Sequence, residues 1–137
     1  MYVTTIGGNI VKLVIFGSRP KYCPLTLNQQ VDLIAAAVKK FQLQPSLIVT
    51  GLAQGIDTAA VIYARGLGIP IEGFRPDWVA EPRAAGFIRN KQMAMYADAG
   101  LGLQWGNSSG TQHMIETMRA LRKPLYTVHD GELDYAF

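Results

Sequence analysis

Three loops of this 137-residue chain combine glycine with hydroxyl, amide, acidic or basic side chains, residue types that can bind anionic ligands. In the central loop, residues 49–60 read V-T-G-L-A-Q-G-I-D-T-A-A, and an amphipathic helix is predicted to begin near Asp57. Glycines at positions 51 and 55 would let a bound group approach the backbone, and the first N–H groups of a helix lack intrahelical partners. This junction predicts an anion site, although a tight turn with Asp57 as an ordinary N-cap explains the same residues.

The other two loops also follow apolar runs. Residues 17–19 are Gly-Ser-Arg, and the planar guanidinium of Arg19 either binds a phosphate or carboxylate through two N–H groups or is solvated. Residues 106–111 are Gly-Asn-Ser-Ser-Gly-Thr, in which Ser109 with Gln112 forms a candidate capping box that would open a helix. Hydroxyls and free helix N–H groups would then face the same ligand.

A cationic segment, residues 89–91 (Arg-Asn-Lys), follows a glycine at a predicted helix start. The helix dipole disfavours cations there, so the pattern favours a compensating anion or a packing role, and we expect ligand contact. Trp78 either stacks on a base or covers the sheet edge, and His113 is more typical of a surface residue than of a catalytic one. The predicted ligand-binding residues are Gly17, Ser18, Arg19, Gly51, Gln54, Gly55, Asp57, Arg89, Asn90, Gly106, Asn107, Ser109, Gly110 and Thr111.

The spacing of apolar residues predicts five strands that alternate with four helices. The strands are predicted at residues 11–16, 47–50, 70–74, 99–105 and 124–128, with Pro45 separating the first helix from the second strand. Thr26 and Gln29 form a capping box, and Gly68 is the predicted end of the second helix. The fold class is therefore α/β, a Rossmann-like three-layer sandwich with a mostly parallel five-stranded sheet in the order 3-2-1-4-5. In that order the loops after strands 1, 2 and 4 converge on one crevice.

Composition limits the function classes. A length of 137 residues, 49% apolar residues and a net charge of +3 indicate one globular domain, residues 1–137, without the basic stripe of a duplex-DNA binder. Cys23 is the only cysteine, so no intrachain disulfide or cysteine metal cluster forms. We expect no metal, no cofactor and no phosphate loop of the G-x-x-x-x-G-K-[ST] type. Neither a signal peptide nor a membrane span is predicted, which favours a cytoplasmic protein.

Several of these segments together resemble the SLOG superfamily, most of all its YspA-like branch, which is encoded by phages and bacteria. The resemblance rests on G-S-R-P at 17–20, the segment 49–60, F-R-P-D-W at 74–78, A-A-G-F-I-R-N-K-Q-M at 84–93 and S-G-T at 109–111. It extends over residues 11–128. It implies a Rossmann-like fold with a pocket for a nucleotide or nucleotide-derived ligand, and a role as a sensor of such ligands.

Two related families supply competing hypotheses. G-L-A-Q-G-I-D and R-N-K are also similar to Smf/DprA, which binds single-stranded DNA, but the chain lacks that family's extra domains and an evident aromatic and basic groove. The LOG phosphoribohydrolases carry P-G-G-x-G-T-x-x-E, and here Met114 occupies the glutamate position. Glu116 lies about 200° around the helix from it and cannot simply substitute, whereas Asp57 or Asp77 could supply a carboxylate.

The sequence therefore predicts a binding module without catalytic residues, either a sensor or a protein that sequesters a nucleotide signal. A LOG-like nucleoside 5′-monophosphate hydrolase and a DprA-like single-stranded DNA binder are the alternatives. The expected partner is a nucleotide-derived small molecule rather than a membrane. Homo-oligomers are common for such folds, and four methionines, Met93, Met95, Met114 and Met118, fit either a core or a subunit interface.

Overall fold

In the computed structural model, which describes residues 9–133, strand β1 (Asn9–Gly17) lies at the centre of a parallel sheet. The other strands are β2 (Leu43–Thr50), β3 (Ile71–Gly73), β4 (Ala99–Gln104) and β5 (Leu125–His129). The helices are α1 (Leu27–Lys40), α2 (Ile56–Leu67), α3 (Ala85–Tyr96) and α4 (Ser109–Ala120). The spatial order is β3-β2-β1-β4-β5, and each neighbouring pair is parallel. The predicted α/β fold and strand order are confirmed.

Alternate side chains of β1 divide the core into two layers. Leu13 and Ile15 pack with the apolar faces of α1 and α2, whereas Val14 and Phe16 pack with those of α3 and α4. This is the period of two that an extended strand requires when both of its faces are covered. The helices thus form the two outer layers of a three-layer sandwich, and the loops at the carboxyl ends of the strands remain open to solvent.

Two helix boundaries follow the sequence signals closely. The Thr26 hydroxyl accepts a hydrogen bond from the N–H of Gln29, whose side chain accepts one from the N–H of Thr26, so the capping box is confirmed. Gly68 ends α2 in the left-handed region, at φ 70°, as predicted. Such a conformation costs other residues energy because their Cβ crowds the backbone.

The starts of α2 and α4 differ from the sequence-based interpretation. The N-cap of α2 is Gly55, so Asp57 is the second residue of the helix rather than its cap. The N-cap of α4 is Ser108, whose hydroxyl accepts a hydrogen bond from the N–H of Thr111, and Ser109 is already the first helical residue. Asp57 and Ser109 are therefore not N-cap residues, and the Asp57 carboxylate instead accepts a hydrogen bond from the Ala53 N–H.

Strand β2 begins earlier than predicted and contains Pro45. Pro45 pairs with Val11, and the register of β1 and β2 shifts directly after that position. Strand β3 pairs with β2 only from Ile48 onward, so the missing N–H of Pro45 costs no hydrogen bond on that side. The prediction that Pro45 separates the first helix from the second strand was therefore wrong.

Three of the four methionines belong to the core. Met93, Met114 and Met118 are at most 2% exposed, whereas Met95 is 61% exposed.

Among residues 9–133 no helix is long and apolar enough to cross a membrane. Formation of a homo-oligomer stays a prediction.

Candidate nucleotide-binding site

The loops after β1, β2 and β4 meet at one crevice, as the strand order requires. A central cavity of about 80 Å³ lies there and takes residues from all three loops and from α3. Its volume suits a phosphate-sized group or a few waters rather than a whole nucleotide. Its lining residues are Phe16, Gly17, Arg19, Ala53, Gln54, Asp57, Arg89, Asn90, Met93, Ser108, Gly110, Thr111 and Met114.

The Arg89 guanidinium ties α3 to the central loop. Its Nη1 donates hydrogen bonds to the carbonyl oxygens of Gly51, at 2.6 Å, and Phe74, at 3.4 Å, while its Nε donates to Asn90 Oδ1 at 3.1 Å. Helix α3 begins at Ala85, so Arg89 lies in the second turn, and the predicted conflict with the helix dipole does not arise. Its position is explained by these internal hydrogen bonds.

The position of the Arg89 guanidinium requires a residue without a side chain at position 51. A Cβ on Gly51 would collide with the Arg89 guanidinium and would lie 3.0 Å from Asp57 Oδ2. The sequence assigned this glycine to the close approach of a ligand, but the space beside its Cα is occupied by a protein side chain. Gly110 is the opposite case, because no atom lies within 4 Å of the position of its Cβ.

Asp57 is a buried carboxylate beside the cavity. Burial raises its pKa from 3.8 to about 6, and the Ala53 backbone, the charge of Arg89 and the Gly51 backbone oppose that rise. The Ala53 N–H donates to Asp57 Oδ2 at 3.1 Å. Burial also lowers the pKa of the Arg89 guanidinium, an effect that Asp57 opposes and the charge of Arg19 reinforces.

Asn90 joins α3 to α4, and its partners fix the orientation of its amide. Oδ1 accepts from Arg89, so Nδ2 faces the Gly110 carbonyl oxygen at 3.2 Å and His113 Nδ1 at 3.3 Å. Because Nδ2 can only donate, a hydrogen bond between the two side chains requires an unprotonated Nδ1 on His113, which in a neutral ring places the proton on Nε2. The His113 imidazole also stacks on the Phe87 ring, with the two ring centroids 4.3 Å apart.

Donors without internal partners border the central and side cavities. The exposed Arg19 guanidinium makes no hydrogen bond with residues 9–133, and its charge acts on Arg89. At the start of α4, the N–H groups of Ser109 and Gly110 likewise have no acceptor within that range. A guanidinium and a helix N-terminus that both lack acceptors form an environment suited to an anion.

Two larger cavities adjoin the central one. The outer cavity, about 390 Å³, lies between the central loop and the segment 75–78, and the side cavity, about 210 Å³, lies over the start of α3 and α4. Arg19, Trp78 and Arg89 line both of them. The outer cavity alone falls within the roughly 300–1,000 Å³ of small-molecule sites.

The predicted ligand-binding residues fall into three groups. Those at the central cavity are Gly17, Arg19, Gln54, Asp57, Arg89, Asn90, Gly110 and Thr111. Gly51 lines the outer cavity and Ser109 the side cavity. Within residues 9–133, no lining of these three cavities includes Ser18, Gly55, Gly106 or Asn107.

Ser18 has a different role from the one predicted for it. Its hydroxyl donates to the Trp105 carbonyl oxygen and accepts from the Trp105 N–H, both at 2.8 Å, and the residue is 1% exposed. Both functions of the hydroxyl are therefore used to join the loops after β1 and β4. A serine after a strand gives no sequence signal that separates this role from ligand binding.

Sequence reasoning missed residues of the segment before α3. Arg75 lines the outer cavity and Arg83 the side cavity, and both are exposed. A connection this long and irregular is itself a signal of function, and its arginines could have been included on that ground. Phe16, Met93 and Met114 also line the central cavity and were not among the predicted ligand-binding residues. Phe16 was assigned to a strand, and the two methionines to a core or a subunit interface.

Of the carboxylates considered for catalysis, only Asp57 lines the central, outer or side cavity. Met114 lines the central cavity, whereas Glu116 is exposed and accepts from Gln112 at 3.2 Å. Asp77 accepts from the Ala80 N–H at 3.0 Å and lines a fourth cavity of about 100 Å³, which shares Arg75, Pro76 and Arg89 with the outer cavity. Asp57 is therefore the one carboxylate among the residues that line the three adjoining cavities.

Comparison with known proteins identifies the fold. No protein-family model matches the sequence, and no curated protein matches it. The X-ray structure of DNA processing protein A (DprA) from Streptococcus pneumoniae matches with a TM-score of 0.66 and 20% identity over 88% of this chain. The match covers 52% of that protein, so the chain spans about half of its length. At this identity the similarity concerns the fold alone, a Rossmann-like α/β sandwich.

Proposed function

We propose that this chain binds a phosphate-bearing nucleotide or a nucleotide-derived signalling ligand in the crevice, as a sensor or as a protein that sequesters the ligand. We further propose one cytoplasmic domain, residues 1–137, of the YspA-like branch. The observation that carries the proposal is the charge of the crevice. Its three adjoining cavities are lined by four arginines, Arg19, Arg75, Arg83 and Arg89, and by a single carboxylate, Asp57.

The phosphate belongs where the central and side cavities meet, at Arg19 and Gly110. Arg19 offers a guanidinium without internal partners, and the N–H groups of Ser109 and Gly110 offer donors at the positive end of α4. Arg89 adds charge while its hydrogen bonds hold the loop in place. Asp57 lies too close to this centre to favour a second negative charge, so we assign it to a ligand hydroxyl or to the orientation of Arg89.

The test is mass spectrometry of small molecules released from the denatured protein, with thermal shifts across a nucleotide panel. A nucleotide recovered intact that stabilises the protein on re-addition supports the proposal. Arg65→Ala provides a matched control for Arg19→Ala, because Arg65 is exposed and lines none of the three cavities. Equal ligand affinity of the two variants would overturn the role of Arg19, and the absence of any shift would overturn the proposal.

Nucleotide hydrolysis is the second candidate, and Asp57 is the observation that favours it. Its carboxylate lies in the central cavity and its pKa of about 6 lies near neutral. Met114, which stands where LOG enzymes have glutamate, counts against hydrolysis and makes it the weaker candidate. Release of free base from a nucleoside monophosphate, abolished in Asp57→Asn, would support hydrolysis. Intact nucleotide after long incubation with the wild-type protein would exclude it.

Binding of single-stranded DNA, the third candidate, gains from the residues around Trp78. This half-exposed indole lies between cavities that contain Arg75 and Arg83, a combination of aromatic and basic groups that suits single strands. Such binding would weaken steeply as salt increases. A mobility-shift assay with oligonucleotides at low salt tests it, and the absence of a shift would argue against it.

A further inference from the structure

We infer that the ligand of this crevice consists of two nucleosides joined through phosphate. The linkage lies at Arg19 and Arg89, with one nucleoside in the outer cavity and the other in the side cavity. The inference rests on the proposed function and deepens it by naming the class of ligand. It follows from how the cavities share their walls.

Three residues, Arg19, Trp78 and Arg89, are common to the outer and side cavities. Arg19 and Arg89 also line the central cavity, so all three spaces meet at this pair of guanidiniums. Planar guanidiniums are well suited to phosphate oxygens. A ligand with its phosphate at this junction has two directions in which to extend, and Trp78 borders both.

The outer cavity has the walls that a nucleobase needs. Leu52 and Pro76 provide apolar surface, and the indole of Trp78, which is 53% exposed, provides a stacking face. Arg75 adds a third cation to Arg19 and Arg89 in this cavity and is absent from the lining of the side cavity. Aromatic side chains bind bases by stacking with little dependence on which base is present.

The side cavity has the same combination, in which Trp78 is shared and Phe87 and Arg83 are added. Trp78 and the half-exposed Phe87 provide aromatic surface, and Arg83 supplies a cation that the outer cavity lacks. Phe87 is held by its stack on His113, whose Nδ1 accepts from Asn90. Each arm of the crevice thus has an aromatic wall and its own arginine, whereas a mononucleotide would occupy only one arm.

Calorimetric titration of the full chain tests this by comparing matched ligands. The probes are the four ribonucleoside 5′-monophosphates and the linear 5′-phosphorylated homodinucleotides of the same bases. We expect the dinucleotide of the preferred base to bind about tenfold or more tightly than its mononucleotide, because a second base stacks. Equal affinities would overturn the inference and leave the proposed function standing, whereas binding of neither class would overturn both.

Variants locate the two arms. Arg75→Ala and Arg83→Ala should each weaken dinucleotide binding by about three- to tenfold, whereas only one of them should weaken mononucleotide binding. Trp78→Ala should remove most of the dinucleotide's advantage, and Trp78→Phe should restore part of it. Val79→Ala is the matched control, because Val79 is 94% exposed and lines none of the three cavities. If the same single arginine affected both ligand classes and the other affected neither, one arm would be unoccupied and the inference would fail.

Two sources could supply this chemistry, a free dinucleotide or a stretch of single-stranded nucleic acid. The affinity for a single-stranded decanucleotide of the preferred base distinguishes the two sources. Tighter binding of the decamer than of the dinucleotide, with a steep dependence on salt, identifies a strand. Binding no tighter than that of the dinucleotide identifies a free small molecule, and both results support two nucleosides joined through phosphate.

Discussion

The Arg89 guanidinium donates a 2.6 Å hydrogen bond to the carbonyl oxygen of Gly51, 38 positions away in the chain. This contact fixes the loop after β2 against α3 and keeps a cation beside the central cavity. Arg19 lines the same cavity without any hydrogen bond to residues 9–133. The two arginines therefore differ in what they do for the folded protein, although the sequence presents them as equivalent candidates.

Replacing each arginine with alanine should separate the two roles. Arg19→Ala should leave the free energy of unfolding nearly unchanged and weaken nucleotide binding by about ten- to hundredfold, because only ligand contacts are lost. Arg89→Ala should weaken binding and also lower the free energy of unfolding by about 2 kcal/mol, since it removes hydrogen bonds from a charged donor. Urea denaturation and calorimetry measure the two quantities. Equal stability losses in both variants would contradict this division.

Two glycines of the site should respond in opposite ways to alanine. Gly51→Ala should displace the Arg89 guanidinium and lower the free energy of unfolding by about 1–3 kcal/mol, as overpacking does. Gly110→Ala should preserve stability, because open space surrounds its Cβ position, yet weaken binding of a ligand that approaches the backbone there. Gly66→Ala in α2 is the control, since its Cβ also meets no atom within 4 Å. Unchanged affinity in Gly110→Ala would exclude close ligand approach.

Asp57 should make the protein less stable as its carboxyl ionises. Its pKa in the folded protein, about 6, exceeds the 3.8 expected when unfolded, so the folded state holds this proton more tightly. Its contribution to stability is therefore fully present below pH 4 and is lost as pH rises through 6, by about 3 kcal/mol. Asp57→Asn keeps an acceptor for the Ala53 N–H and lacks this titration.

The measurement is the difference in unfolding free energy between Asp57→Asn and the wild type, taken at pH 4 and at pH 8. The difference should shift in favour of the variant at pH 8, and most of the shift should occur between pH 4 and pH 7. All other titratable groups are the same in the variant and in the wild type, so their contributions cancel in this difference. A constant difference across this range would show that Asp57 is not perturbed by burial.

The fold was predictable because its signals are local and repeat. Apolar runs, the Thr26 capping box and the Gly68 stop each specify a boundary, and the alternation of strands and helices then selects a parallel sheet. Pro45 was wrongly predicted to precede the second strand. A proline is tolerated within β2 because β3 pairs with β2 only from Ile48 onward. That relationship joins distant parts of the chain and leaves no local pattern.

The site was predictable in position but less so in role. The strand order places the three glycine-rich loops together, and this geometry alone brings Arg19 near Asp57. Whether Gly51 makes room for a ligand or for Arg89, and whether Ser18 faces solvent or Trp105, depends on side-chain packing between loops. Periodicity carries no information about such packing.

Asn90 should determine the tautomer of His113. In its neutral form His113 should carry its proton on Nε2, because Asn90 Nδ2 donates to Nδ1 at 3.3 Å. Nitrogen-15 NMR of the imidazoles should show an unprotonated Nδ1 at His113, and Asn90→Leu should remove that preference. His129, at the end of β5, is the internal control and should not change. Asn90→Leu should also weaken binding, since it leaves Arg89 Nε and the Gly110 carbonyl without their partner. A His113 signal with Nδ1 protonated in the wild-type protein would contradict the hydrogen-bond network that links α3 to α4.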